Sequence, residues 1–129
     1  TGTVIVTTPQ SVAVDDARRG IQLFAEYDAN VLGVVENMSA FVCPDCGSTH
    51  DIFGEDGGSG LADAVDVPFL GALPLDPAVR AGADDGEPIV TRAGSNEAGD
   101  AFETLAGTVV NKVGVLRRHH QQRATGQSD

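Results

Sequence analysis

Lysine and long apolar runs are both scarce in this chain, and each scarcity excludes a class of function. Lysine occurs once, at Lys112, and nineteen Asp and Glu residues stand against eight Lys and Arg, a formal net charge of −11. Because such a surface repels phosphate backbones, nucleic acid is not an expected partner. No run approaches the roughly twenty apolar residues that span a bilayer, and no basic-then-apolar leader opens the chain. We therefore expect a cytoplasmic protein without membrane contact.

The size and the acidic surplus indicate one globular domain that tolerates salt. The 129 residues, 41% of them hydrophobic, can bury a core of one domain. Carboxylate-rich surfaces remain soluble at high salt, where the repulsion between their charges is screened. We expect a halophilic source, with an ordinary acidic cytosolic protein as the alternative.

Strands and helices alternate along the chain in the pattern of a parallel α/β sheet. Short apolar runs rich in branched residues predict buried strands at 4–6, 31–35 and 69–73. Apolar residues at helical spacing predict helices at 11–28, about 60–65 and 77–83, and a last helix that Ser95 caps and whose apolar stripe ends at Val113. Three strands and their helices make half of a doubly wound domain, so we expect residues 1–116 to be the C-terminal portion of one. The chain begins almost inside a strand without an initiator Met, which also favours a fragment.

The last stretch of the chain is polar throughout, except for Ala124. Residues 117–129 are therefore expected to form a disordered tail. His119 and His120 lie in it, and two adjacent histidines on a mobile tail are more often solvated than bound to a metal.

Polar residues follow each predicted strand. Ligands of open parallel sheets bind beyond the carboxyl ends of the strands, where the segments 7–10, 36–39 and 74–77 would converge. Asn37 is the sharpest candidate, because an amide donates and accepts hydrogen bonds at once and so suits the edge of a purine base. The alternative is that Asn37 and Asp76 only satisfy the backbone of turns.

Cys43 and Cys46 are the only cysteines, and they form a C-x-x-C motif within the Gly-rich loop 37–60. In a reducing compartment such a pair binds metal or takes part in redox exchange, and spacing alone leaves both alternatives open. A closed zinc or iron–sulfur site needs four ligands, and a second copy of the loop across a two-fold axis is the economical source of the missing pair. His50 could be a zinc ligand, although Cys-Cys-His is still one ligand short.

Several motifs together resemble the C-terminal half of the Mrp family of iron–sulfur cluster carrier ATPases, relatives of the MinD and ParA-type P-loop ATPases. They are VTTPQ at 6–10, DDARRG at 15–20, LGVVENMS at 32–39, CPDCG at 43–47, IFG at 52–54, VPFLG at 67–71 and PLDP at 74–77. The step from E-N-M-S to C-P-x-C is highly specific to that family, and the resemblance covers nearly everything from Val4 to about Lys112.

The resemblance implies a homodimeric carrier that assembles a [4Fe-4S] cluster and passes it to apo iron–sulfur proteins. Cys43 and Cys46 match the cysteines that bridge the cluster between two subunits. Asn37 matches the residue that binds adenine, and the segment with Pro74 and Asp76 matches the part that lines the base. The implied fold is an α/β doubly wound parallel sheet, the C-terminal half of a P-loop NTPase domain.

One departure from the family is large. Its members hold the phosphates of ATP and Mg on a Gly-rich loop, and no G-x-x-x-x-G-K-[ST] motif or relative of it occurs in this sequence. Lys112 lies in the last helix and cannot substitute. We therefore expect ATP hydrolysis in the complete protein and none from this fragment alone. The alternative function is a zinc-binding or thiol-redox module that does not use nucleotide.

Overall fold

A computed structural model describes residues 1–92 and 96–126, and a parallel sheet lies at its centre. The first half contains β1 (Thr3–Thr7), α1 (Ser11–Glu26), β2 (Val31–Glu36), β3 (Phe41–Val42) and β4 (Thr49–His50). The second half contains α2 (Gly57–Val65), β5 (Phe69–Ala72), α3 (Pro77–Asp84), a 3-10 helix (Ile89–Thr91) and α4 (Glu97–Gly126). The predicted α/β class and parallel sheet are confirmed.

The main sheet has three described strands in the order β1-β2-β5, so β2 lies in the middle. Both pairings are parallel, and Glu36 at the end of β2 is level with Thr7 of β1 and Ala72 of β5. The carboxyl ends of all three strands therefore meet at one edge of the sheet, as expected. Within the described residues β1 has a neighbour on one side only, and Val6 on it is 58% exposed.

Alternating side chains of β2 supply two separate cores, one on each face of the sheet. Val34 packs with Ile5, Ile21, Leu61 and Ala62 under α1 and α2. The next residue, Val35, points to the opposite face, where it packs with Leu70 and Leu73 under α4. This alternation is the period-2 pattern of a strand that is buried on both faces, and it explains why β2 carries no polar side chain before Glu36.

The last helix differs most from expectation. Residues 117–126, predicted to be disordered, continue α4 as a helix, and the predicted boundary at 116 falls inside that helix. Extending an existing helix needs no new nucleation, and this proline-free stretch is rich in Arg and Gln, which favour helix. Residues 127–129 and the predicted cap Ser95 lie outside the described residues. Asn96 directly precedes the helix, and its Oδ1 accepts from the Gly99 N–H at 2.6 Å.

Among the described helices, none combines the length and the apolar character needed to cross a bilayer.

Candidate functional site

The two cysteines lie at the tip of a β-hairpin that was predicted only as a loop. Its strands β3 and β4 are antiparallel, with Phe41 opposite His50. The turn is closed by the Cys43 N–H, which donates to the Ser48 carbonyl at 2.9 Å, and by the Gly47 N–H, which donates to the Cys43 carbonyl at 2.9 Å. The two cysteines are not joined in a disulfide; Cys43 is half-buried and Cys46 exposed. The hairpin therefore presents both thiols where another molecule can reach them.

Cys46 belongs to a short chain of hydrogen-bonding side chains along the hairpin. Its Sγ lies 2.9 Å from the Ser48 Oγ, which in turn lies 3.0 Å from the His50 Nε2. The Ser48 hydroxyl, with further help from the Ser48 backbone and from Cys43, lowers the pKa of the Cys46 thiol. Because the thiolate is both the metal-binding and the nucleophilic form, this environment favours either chemistry.

The two thiols by themselves are too few ligands for a closed metal site. Across residues 1–92 and 96–126, no three His, Cys, Asp or Glu side chains lie close enough together to hold a metal ion. His50 therefore does not complete a three-ligand set with Cys43 and Cys46 in one chain. Two accessible thiols fit one half of a four-thiolate site, which needs its other ligands from a second molecule.

A cluster of carboxylates follows the hairpin. A hydrogen bond and charge repulsion from Asp51, together with repulsion from Asp56, raise the pKa of Glu55. All of these groups belong to the segment between β4 and α2. Their mutual repulsion is the kind of interaction that added salt screens.

Asn37 follows β2 at the carboxyl edge of the sheet, where the sequence predicts a base-binding residue. Its backbone N–H donates to the Thr7 carbonyl at 2.7 Å, and its side-chain Oδ1 accepts from the Met38 N–H at 2.9 Å. Met38 has a φ of 54°, in the left-handed region that non-glycine residues rarely adopt. The side-chain oxygen of Asn37 thus supports this turn, which is the alternative role considered for Asn37. The same side chain can still make other hydrogen bonds, because its oxygen has a second lone pair and its nitrogen is a donor.

The segment after β5 lies directly beside the start of the hairpin. The Ser39 N–H donates to the Leu73 carbonyl at 3.0 Å, and the Leu75 N–H donates to the Ala40 carbonyl at 2.8 Å. Pro74, between them in sequence, is half-buried. The structure therefore brings the two predicted base-lining segments, which begin at Asn37 and Pro74, to the same edge of the sheet.

Asp76 has a clear local role. Its Oδ1 accepts from the Ala78 N–H at 2.8 Å, and Pro77 occupies the first turn of α3. An aspartate N-cap followed by proline is a strong helix-start pattern. One Asp76 oxygen is consequently engaged by the helix, as the turn-satisfying alternative expects.

Glu36 is the residue that sequence reasoning did not single out for the site. It is 4% exposed, yet it carries a carboxylate at the end of an apolar strand. Its Oε1 accepts from the Gly58 N–H at 2.9 Å, and its Oε2 accepts a hydrogen bond from the Ser39 hydroxyl. The available signal was a charged residue directly after four buried positions of a central strand.

Comparison with known proteins identifies the family of this chain. Residues 1–110 match a family model described as ParA, NUBPL iron-transfer P-loop NTPase. The chain is 47% identical over 115 residues to the iron-sulfur cluster carrier protein of Deinococcus radiodurans, which covers 89% of this chain and 32% of that protein. It therefore spans about a third of the length of this relative.

Solved structures give the same fold. The chain is similar to the cell division ATPase MinD of Pyrococcus furiosus, with a TM-score of 0.65, 25% identity, and coverage of 84% of this chain and 41% of that one. It is also similar to a nucleotide-binding protein of Archaeoglobus fulgidus in complex with ADP, with a TM-score of 0.58, 36% identity, and coverage of 66% of this chain and 35% of that one.

Proposed function

Because the chain belongs to the ParA family of P-loop NTPases, matched by its NUBPL iron-transfer model, we propose that it is the cluster-binding and base-binding portion of an iron–sulfur cluster carrier ATPase. One observation carries the proposal: the paired thiols of Cys43 and Cys46 at the tip of an accessible hairpin. The cluster is the cargo, which the carrier passes to apo iron–sulfur proteins.

The ligand count supports a homodimer. Each chain contributes two thiolates, and a [4Fe-4S] cluster takes four, so two hairpins would bind one cluster between them. The exposed position of Cys46 supports this arrangement, because the partner hairpin can approach from solvent. The lowered pKa of Cys46 also supports binding, since less free energy is needed to deprotonate the ligand.

The carboxyl edge of the sheet, where Asn37 and Pro74 lie, would bind nucleotide in the complete protein, and we call it the nucleotide edge. Asn37 would bind the adenine of ATP through its side-chain amide, while Pro74 and the segment around Asp76 would line the base. Phosphates and Mg require a Gly-rich loop that this sequence does not contain, so we propose that the chain alone does not hydrolyse ATP. In the cell we place the carrier in the cytoplasm.

Anaerobic reconstitution of the chain with iron and sulfide tests the carrier function. We expect a broad brown absorbance, about two iron and two sulfide per chain, and the mass of a dimer. Cys43→Ala or Cys46→Ala leaves two thiolates per dimer, so either should abolish stable cluster binding while helix content is nearly unchanged. His50→Ala is the matched control on the same hairpin and should retain most of the iron. A monomer with a full cluster, or a Cys43→Ala variant that keeps one, would contradict the bridged dimer.

The second candidate is a zinc-binding or thiol-redox module without nucleotide, and the hydrogen bonds that link Cys46, Ser48 and His50 favour its thiol-redox form. Here the imidazole would take the proton of the thiol through the hydroxyl. Colourless zinc binding, or a titratable disulfide between Cys43 and Cys46 with no brown product, would support it over the carrier function.

A further inference from the structure

We propose that Glu36 is a positioning residue whose buried carboxylate holds together the two ends of the cysteine-bearing segment, residues 37–58. Its purpose, which rests on the proposed carrier function, is to keep the hairpin at a defined place beside the nucleotide edge. The segment leaves the sheet directly after Glu36 and returns to it at the first residues of α2.

Each oxygen of the carboxylate binds a different end of the segment. Oε2 accepts from the Ser39 hydroxyl, where the chain departs toward the hairpin, and Oε1 accepts from the Gly58 N–H, where the chain returns in α2. Ser39 and Gly58 are far apart in sequence, and both donate a hydrogen bond to Glu36. One side chain therefore connects the two positions. The carboxylate therefore closes the base of the segment.

The surroundings of Glu36 favour this role. A buried carboxylate costs free energy unless its oxygens are paired, so an apolar residue would be the simpler occupant of this strand position. Gly58 lies in the first turn of α2, where backbone N–H groups lack helical partners and the helix dipole favours negative charge. An added Cβ on Gly58 would lie 2.8 Å from the Glu36 Cβ, so glycine is what lets the helix approach this closely.

The position of Glu36 relates the nucleotide edge to the hairpin. Asn37 is its immediate neighbour, and Ser39 also donates its N–H to the Leu73 carbonyl, beside the segment expected to line the base. A shift of this edge would therefore move the start of the hairpin directly, instead of being absorbed by a loosely attached loop. We assign Glu36 the fixing of that geometry and no contact with cluster or nucleotide.

Amide hydrogen exchange of the chain without metal tests the role at both ends. Ser39→Ala removes only the hydrogen bond between Glu36 and the hairpin side of the segment. Exchange of the Leu75 amide, which donates to the Ala40 carbonyl, should then be about tenfold faster or more. Loss of one hydrogen bond to a charged group implies a factor of this size. Gly58 exchange should change less. Ser59→Ala is the matched control, because the Ser59 hydroxyl bonds the Asp56 carbonyl in the same region without touching Glu36.

Glu36 variants supply the rescue. Glu36→Gln can still accept from Gly58 and can donate to the Ser39 hydroxyl, so exchange should remain close to that of the native chain. Glu36→Ala loses both contacts and should accelerate exchange at Leu75 and at Gly58. Equal exchange at Leu75 in Ser39→Ala, Ser59→Ala and the native chain would overturn the proposal, as would a Glu36→Gln variant as labile as Glu36→Ala.

A second measurement connects the contact to the cargo. In reconstituted protein, the brown absorbance should decay faster in Ser39→Ala than in Ser59→Ala, with Glu36→Gln close to native. Equal decay in both serine variants would contradict the positioning role even if exchange differed. If the native chain binds no cluster, the carrier function fails, while the exchange experiment still decides whether Glu36 closes the segment.

Discussion

Replacement of Asn37 by alanine separates the two roles that the structure allows for this side chain. The Oδ1 of Asn37 accepts from the Met38 N–H at 2.9 Å, so alanine removes one hydrogen bond of the turn. The free energy of unfolding should fall by about 0.5–1.5 kcal/mol, the usual net value of such a bond. If the amide also binds adenine, the same change should weaken ATP binding by a further 1–3 kcal/mol, roughly 5- to 150-fold in Kd.

The assay compares ATP with GTP in the chain joined to a phosphate-loop half. Both nucleotides carry the same phosphates, so the ratio of their Kd values isolates the base, and Asn37→Ala should reduce the preference for ATP. Met38→Gly is the matched control, because it changes the same turn at a φ of 54°, which glycine adopts readily, and leaves the Asn37 amide in place. That variant should keep the preference and be at least as stable as the native chain.

One outcome would show that Asn37 does not bind the base. If Asn37→Ala lowers stability by the expected amount but leaves the ratio of ATP to GTP affinity unchanged, the side chain serves only the turn. Loss of the preference in Met38→Gly would likewise show that turn geometry, and not the amide, selects the base.

Three further predictions concern charge. Ser48→Ala should raise the pKa of Cys46, because the Ser48 hydroxyl is the main group that lowers it. The midpoint of the pH–rate profile for alkylation of Cys46 should therefore move to higher pH, whereas the control Ser59→Ala should leave the midpoint in place. An unmoved midpoint in Ser48→Ala would contradict this role of Ser48. The isolated chain should be marginally stable in low salt, because β1 has no second neighbour among the described strands and the net charge is −11. Added KCl should therefore raise its free energy of unfolding in denaturant titrations. Cooperative unfolding of a monomer with ordinary stability in low salt would count against this view. Asp51→Asn, which removes the main group raising the pKa of Glu55, should reduce the dependence on salt, with Asp63→Asn as the control in α2.

Sequence patterns predicted the sheet well because burial on both faces leaves a direct mark on composition. The branched apolar run of β2 packs against two cores, through Val34 on one face and Val35 on the other. The carboxyl ends of parallel strands meet at one edge of a sheet, so the sequence alone predicts that Asn37 and Pro74 lie at the same edge. The C-x-x-C spacing likewise identified Cys43 and Cys46 as a pair whose chemistry belongs together.

The sequence was a poorer guide where local and distant interactions compete. A polar composition predicted a disordered end, but residues 117–126 extend a helix whose nucleation is already complete upstream. From the sequence Asp76 could be assigned either to a base or to a turn, and its hydrogen bond to Ala78 shows that one of its oxygens caps α3.

Composition, periodicity and motif spacing by themselves determined the α/β class, the parallel strands, the edge where their carboxyl ends meet and the thiol pair, because each depends on residues close together in the chain. Only the tertiary structure decided the hairpin that exposes Cys46, the link from Cys46 through Ser48 to His50, and the burial of Glu36. The contact between Glu36 and Gly58 joins residues 22 positions apart. No local pattern records such a partner, since folding brings the two together only when α2 packs on the end of β2.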